Sequence, residues 1–202
     1  GQVAKNMIGT FWFQLNEINA GGSRPQGFEP YVTKKVGVLG AGMMGAGIAY
    51  VSAVVGIEVV LKDISIEAAE KGKSYSAKLL EKKVGRGQMS AEKRDGILAR
   101  IKPTVSDADF EGCDLIIEAV FEDRDLKANV TAAAERAALS DAVIASNTST
   151  LPITGLATAV QKQDKFIGLH FFSPVDKMPL VEIIKGEQTS DETLARGFDY
   201  VM

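Results

Sequence analysis

Histidine occurs once in this chain, at position 170, between Phe166-Ile167-Gly168-Leu169 and Phe171-Phe172-Ser173-Pro174. The apolar run predicts a strand with His170 near its C-terminal end, the edge at which open α/β sheets bind ligands. Imidazole titrates near neutral pH and acts as a general base. A lone histidine is equally readable as a satisfied structural residue. Glu182 lies within Leu180-Val181-Glu182-Ile183-Ile184. A carboxylate among four aliphatics is expected to be buried, and a buried carboxylate needs a partner. His170, on a neighbouring strand, is the natural one. Glu182 would hold one ring nitrogen and stabilise the imidazolium formed at the other. The alternative is a glutamate on the solvent face of an edge strand.

A glycine turn supplies a second chemistry. Val36-Gly37-Val38-Leu39 runs into Gly40-Ala41-Gly42-Met43-Met44-Gly45, and an alanine-rich helical pattern follows. The run Val59-Val60-Leu61 then ends at Lys62-Asp63. This is a β-α-β unit of the kind that holds a dinucleotide. Gly40 allows the tight turn, Gly42 lets a pyrophosphate approach the backbone, and Gly45 lets the helix pack on the strand. Met43 and Met44 open the helix, whose free N–H groups and dipole attract phosphate. Asp63 is expected to accept hydrogen bonds from the adenosine ribose. It would repel a 2′-phosphate, so NAD is favoured over NADP.

Three other polar groups sit at predicted strand ends. Ser146-Asn147-Thr148-Ser149-Thr150 follows Val143-Ile144-Ala145 and makes a hydroxyl-rich lip, from which Asn147 is expected to contact the cofactor. Its alternative is a Ser/Thr turn into a helix. Glu118, Glu122 and Lys127 follow the run Leu115-Ile116-Ile117, and a charged helix start would look the same. Lys82, Lys83 and Arg86 form a basic run that reads as a solvated face. Cys113, the only cysteine, precedes an apolar run and reads as core packing. One cysteine and one histidine make no metal cluster unless carboxylates do all the work.

The elements that must position these groups alternate. Strands are predicted at 35–40, 58–62, 114–119, 142–146, 166–171 and 180–184, with a weaker one at Thr104-Val105. Helices are predicted at 43–55, 65–84, 90–101, 124–138, 152–161 and 191–202. Alternation implies an α/β fold with a doubly wound, mostly parallel sheet of Rossmann type. Ahead of it, Met7, Ile8, Phe11, Trp12, Leu15 and Ile18 form an amphipathic helix over about 5–20. Its apolar face is expected to join a core, in this domain or against another. Gly21-Gly22-Ser23-Arg24-Pro25-Gln26-Gly27 has linker composition. The 202 residues are 46% hydrophobic with a net charge of −3, an ordinary globular balance that argues against a nucleic-acid partner. No apolar run reaches membrane-spanning length, and no secretory signal opens the chain. A cytoplasmic or matrix-like location is expected.

Five ordered blocks, V-G-V-L-G-A-G-M-M-G-A-G-I-A, D-L-I-I-E-A-V-F-E, S-N-T-S-T, G-L-H-F-F-S-P-V and L-V-E-I-I, resemble the L-3-hydroxyacyl-CoA dehydrogenase family from about Lys34 onward. The resemblance implies NAD-dependent oxidation of a 3-hydroxyacyl-CoA in fatty-acid β-oxidation. It implies His170 as base, Glu182 as its partner and Ser149 as the serine that hydrogen-bonds the substrate oxygen. Asp63 matches the ribose acid, and Glu122 and Lys127 match positions near the nicotinamide. Residues 1–33 look like the connector of multifunctional fatty-acid oxidation proteins, in which an enoyl-CoA hydratase precedes the dehydrogenase and a thiolase subunit can associate. Residues 34–202 then form the NAD-binding domain. The family completes its site with an asparagine in a G-F-x-x-N-R segment opening a helical C-terminal domain. Met202 precedes any such segment, so the piece alone is expected to be impaired. A stand-alone 3-hydroxybutyryl-CoA dehydrogenase and a silent NAD-binding relative are the alternatives.

Overall fold

The computed structural model describes all 202 residues. Seven strands form one sheet: β1 (Lys35–Leu39), β2 (Glu58–Lys62), β3 (Ile101–Thr104), β4 (Leu115–Glu118), β5 (Val143–Ser146), β6 (Phe166–Phe171) and β7 (Val181–Lys185). Their order is β3-β2-β1-β4-β5-β6-β7. All pairs are parallel except β6–β7. The predicted α/β fold is therefore observed, with the strand order reversing direction between β1 and β4.

Strand periodicity builds two cores. Val36, Val38, Val59, Leu61, Leu115 and Ile117 enter one cluster, and the intervening Leu39, Val60 and Ile116 enter another. The first face is covered by α3 (Met43–Val54), α4 (Ile66–Gly85), α5 (Ala91–Ala99) and α8 (Asp191–Val201), through side chains such as Ile48, Leu80, Ile97 and Leu194. The second is covered by α6 (Arg124–Ala137) and α7 (Ile153–Ala157), through Ala134, Ile153 and Leu156. Burying each strand on both faces is what a parallel sheet requires. Cys113 lies in the second core at 0% exposure, and burial pushes its thiol up to about 12. That is an inert, packed cysteine.

Helix starts follow their caps. Ser65, Ser90, Asp123 and Ser190 each accept a backbone N–H of the first turn. Two predictions need correction. The weak strand at Thr104-Val105 is β3, which begins at Ile101, so the preceding helix ends at Ala99 rather than 101. Pro103 disguised it; proline is tolerated because β3 is an edge strand bonded only to β2. The helix predicted over 152–161 stops at Ala157. The Thr158 hydroxyl donates back to the Gly155 carbonyl, and the Glu135 carboxylate accepts the N–H groups of Gln161 and Lys162.

The N-terminal helix is also corrected. It comprises α1 (Gln2–Met7), a π-helical stretch over Ile8–Gln14 and α2 (Leu15–Asn19), and none of its residues is buried. Phe11, Trp12 and Phe13 are about two-thirds exposed. Its apolar face therefore joins no core of this chain. The domain holds the chain only from Arg24 onward. The Arg24 guanidinium pairs with Asp199 of α8 at 2.6 Å and donates to the Phe28 and Glu29 carbonyls. Asp199 also accepts the Tyr31 N–H, and the Arg196 guanidinium lies 3.9 Å above the Tyr31 ring. Residues 24–31 are thus pinned at the pole of the sheet opposite the C-terminal strand ends.

Candidate active site

Every strand-end group singled out above reaches the C-terminal edge of the sheet. Gly40 has φ +93°, a left-handed conformation that glycine adopts freely, and a Cβ there would lie 2.8 Å from the Ala119 carbonyl. At Gly45 a Cβ would stand 1.8 Å from the Gly40 carbonyl, so only glycine lets α3 sit this close to the end of β1. Gly42 faces open space and caps α3 without a side-chain bond. The first N–H groups of α3 are therefore left for an anion. Gly72 of α4 matters too, since a Cβ there would lie 2.8 Å from the Ala41 carbonyl. An isolated helical glycine gave the sequence reading no reason to select it.

The N-terminus of α3 divides two clefts. One, of about 430 Å³, lies between the glycine turn and α4 and is lined by Gly42, Met43, Asp63, Lys71, Tyr75 and Lys78. Asp63 is held there by the Ala41 N–H at 2.7 Å and the Ile64 N–H at 2.7 Å. Each carboxylate oxygen keeps a lone pair for a further donor. The other cleft, of about 350 Å³, brings together Met44, Glu122, Asn147, Ser149, His170 and Phe172.

His170, in the second cleft, is directly opposed to Glu182 in the antiparallel β6–β7 ladder. His170 Nδ1 lies 2.9 Å from Glu182 Oε2, leaving Nε2 as the ring nitrogen without this partner. The Phe172 ring sits 4.5 Å from the imidazole, tilted by 49°. The sequence-predicted pair is present, but its predicted burial is not: the Glu182 side chain is 54% exposed. Strand alternation explains this. Val181 and Ile183 pack toward the first core; on the face of Glu182 itself, Ile184 reaches the second core while Leu180 is exposed, so Glu182 lies at the open end of the ladder beyond the covered part of that face.

The lip after β5 is organised by Glu122. Its carboxylate accepts the Thr148 and Thr150 hydroxyls and the N–H groups of Ser149 and Thr150. Ser149 thereby stands exposed in the His170 cleft. The Asn147 side-chain carbonyl accepts the Phe171 N–H at 2.8 Å, tying the lip to the strand that carries His170. Lys127, which the resemblance matches to a position near the nicotinamide, lies directly behind the lip, against Glu122. It is 1% exposed, and its ammonium contacts both oxygens of Glu118 at 2.9 and 3.0 Å and Glu122 at 3.2 Å. Glu118, at 0% exposure, also accepts the Ser146 hydroxyl and the Val120 N–H. Lys127 supports Glu122 from the interior. Lys82 and Lys83 of the basic run line neither cleft.

Partial burial pushes the Glu122 carboxyl up, but the Thr148 hydroxyl and the Lys127 ammonium outweigh it and hold the group at about 2. A carboxyl depressed from its ordinary 4.5 contributes stability above that value and loses it as pH falls toward 2. Thermal melting of the wild type should therefore weaken more between these pH values than that of Glu122→Gln. Parallel melting curves for the two would show that Glu122 carries no such linkage.

With this geometry in place, similarity to known proteins becomes informative. Residues 35–202 match the family model described as 3-hydroxyacyl-CoA dehydrogenase, NAD binding domain. The chain belongs to this family. It is 43% identical to an (S)-3-hydroxybutyryl-CoA dehydrogenase from Ralstonia eutropha, with a TM-score of 0.78 over 81% of this chain and 58% of that one. A 3-hydroxybutyryl-CoA dehydrogenase from Escherichia coli is 32% identical, with a TM-score of 0.79 over 84% of this chain and 37% of that one. The dehydrogenase part of multifunctional enzyme 1 from C. elegans is 28% identical, with a TM-score of 0.74 over 86% of this chain and 40% of that one. The chain thus spans less than two thirds of the length of each. Family membership makes the two clefts and the helix N-terminus between them parts of an NAD-binding domain. The exposed helix 2–19 lies outside the matched region.

Proposed function

We propose that the protein oxidises L-3-hydroxyacyl-CoA to 3-ketoacyl-CoA with NAD, as a step of fatty-acid β-oxidation. The observation that carries this reading is His170, paired with Glu182 and lining the same cleft as Ser149, beside the free N-terminus of α3. The residues present fit the cofactor. Gly42 opens onto space where a larger residue would intrude, the α3 N–H groups suit a pyrophosphate, and Asp63 suits ribose hydroxyls. Glu122 and Asn147 line the second cleft, which would take the nicotinamide end.

NAD, when bound, supplies the acceptor for the two electrons and hydrogen leaving C3. The rest falls to this chain. His170 Nε2 takes the proton of the 3-hydroxyl. Glu182, on Nδ1, holds the tautomer that leaves Nε2 basic and stabilises the imidazolium that forms. Ser149 donates a hydrogen bond to the substrate oxygen as it becomes a carbonyl. A second, helical domain, implied by the family resemblance, would cover the exposed side of Glu182 and wall the acyl chain. We assign residues 1–33 as a connector to a preceding enoyl-CoA hydratase domain. An unpacked apolar helix outside the family match supports this over a stand-alone 3-hydroxybutyryl-CoA dehydrogenase. An assay of the intact protein with NAD and a series of L-3-hydroxyacyl-CoA chain lengths tests the reading. NADH formation from at least one of them is expected, and none from any would overturn it.

Cofactor choice gives a separate check. Asp63 should make NAD bind more tightly than NADP, through ribose hydrogen bonds and phosphate repulsion. Calorimetry on the wild type and Asp63→Ala should find that preference, and find it reduced in the variant. Equal wild-type affinities would remove the role given to Asp63.

A further inference from the structure

The strands carrying His170 and Glu182 are joined by residues 172–180, and the pair sits at the open end of their ladder, where only Phe171↔Val181 follows. Strand ends part easily unless the connecting segment is held. Of residues 173–180, all are exposed except Val175, which is buried, and Asp176, which is half-buried. Both are anchored to helices of the nucleotide half. Val175 packs on Gly47 of α3, where an added Cβ would lie 2.8 Å from the Val175 Cβ. Asp176 Oδ1 accepts a hydrogen bond from the Tyr75 hydroxyl of α4 at 2.6 Å.

We propose that Tyr75 and Asp176 are positioning residues for the His170–Glu182 pair, acting by tying the segment between the two strands to α4. The inference rests on the catalytic role proposed for that pair. Tyr75 and Asp176 touch neither His170 nor Glu182; their bond restrains the segment whose two ends set the 2.9 Å separation of the pair. A hydrogen bond to a carboxylate is strong enough for the task, since charge-assisted bonds are roughly twice as strong as neutral ones. Burial and the Asp176 contact together push the Tyr75 phenol up to about 12, so it stays a donor at neutral pH. The Tyr75 ring also lines the first cleft, beside Asp63 and Lys78. The wall of one cleft is thereby joined to the base of the other.

In the intact enzyme, Tyr75→Phe and Asp176→Ala should each lower kcat about tenfold or more while the KM for NAD changes little, because misplacing reacting groups by about 1 Å can cost a hundredfold. The double variant should be no worse than either single one, as expected for partners in one bond. Asp176→Asn keeps an acceptor for the phenol and should restore kcat. The ring protons of His170, assigned as the imidazole signals that disappear in His170→Ala, provide a second readout. Their NMR signals, which sense the nearby Phe172 ring, should move in Tyr75→Phe and Asp176→Ala but not in Asp176→Asn. A loss confined to the KM for NAD would make Tyr75 merely a wall of its cleft and overturn the inference. Unmoved His170 signals, or additive losses in the double variant, would overturn it as well. Because the signals report geometry without turnover, failure of the catalytic reading, seen as an active His170→Ala enzyme, is told apart from failure of the tether.

Discussion

Replacing Lys127 by methionine should destabilise the protein by about 3–5 kcal/mol, the usual cost of leaving a buried charge without its partner. Lys127 and Glu118 are at 1% and 0% side-chain exposure and within 3.0 Å of each other. Methionine matches the length of the lysine stem but leaves Glu118 facing the Ser146 hydroxyl and the Val120 N–H alone. Two neutral donors do not replace an ammonium beside a fully buried carboxylate. Adding Glu118→Gln to Lys127→Met should recover part of the loss, because the charge that lacked a partner is then gone. Urea unfolding of the three proteins measures it. A loss under about 1 kcal/mol in Lys127→Met, within the range of exposed ion pairs, would mean that water reaches Glu118 and that the pair is not buried in solution. Since Glu122 also leans on Lys127 at 3.2 Å, the variant should loosen the lip that carries Ser149 and lower turnover in the folded fraction.

The second large effect belongs to the pair itself. His170→Ala should lower kcat by about 10²–10⁴-fold, the typical worth of general-base catalysis. NAD affinity should change little, because Asp63 and the α3 N-terminus are untouched. Glu182→Gln should lower kcat less than His170→Ala, since glutamine can still hold Nδ1–H but carries no charge to stabilise an imidazolium. Combined, the two should be no worse than His170→Ala alone, for a partner without its base has nothing to act on. Steady-state kinetics of the three variants separate these outcomes. Full activity in Glu182→Gln would reduce Glu182 to a surface residue, consistent with its exposure alone.

Much of this site was legible because its signals are local. Gly40, Gly42 and Gly45 answer to steric demands within a few residues, and Asp63 ends the strand that must follow. The core strands could be read because each alternates between two buried faces. What was not legible depended on the face a residue occupies or on distant partners. Glu182 was expected to be buried because aliphatics flank it, yet Val181 and Ile183 turn to the opposite side of the strand, and on its own face Leu180 is exposed while only Ile184 reaches a core. Lys127 was matched to the nicotinamide side by the family resemblance, not by any local signal. Its actual orientation is set by Glu118, on another element, and this only the folded chain specifies. Pro103 concealed an edge strand whose missing N–H faces no partner. The helix over 2–19 showed its apolar face plainly, but a face does not name what covers it. Tyr75 and Asp176 lie 101 residues apart, and neither residue type in its local context marks the contact.

The proposed function has this domain bring NAD and a 3-hydroxyacyl-CoA to a single base, His170. It is tested most directly by mixing the intact enzyme with NAD and L-3-hydroxybutyryl-CoA, following NADH absorbance, and repeating the measurement with His170→Ala after confirming by calorimetry that the variant binds NAD. Steady NADH formation by the wild type is expected, with undiminished NAD binding and turnover reduced at least about a hundredfold in the variant. Equal rates of NADH formation by the two proteins would contradict it.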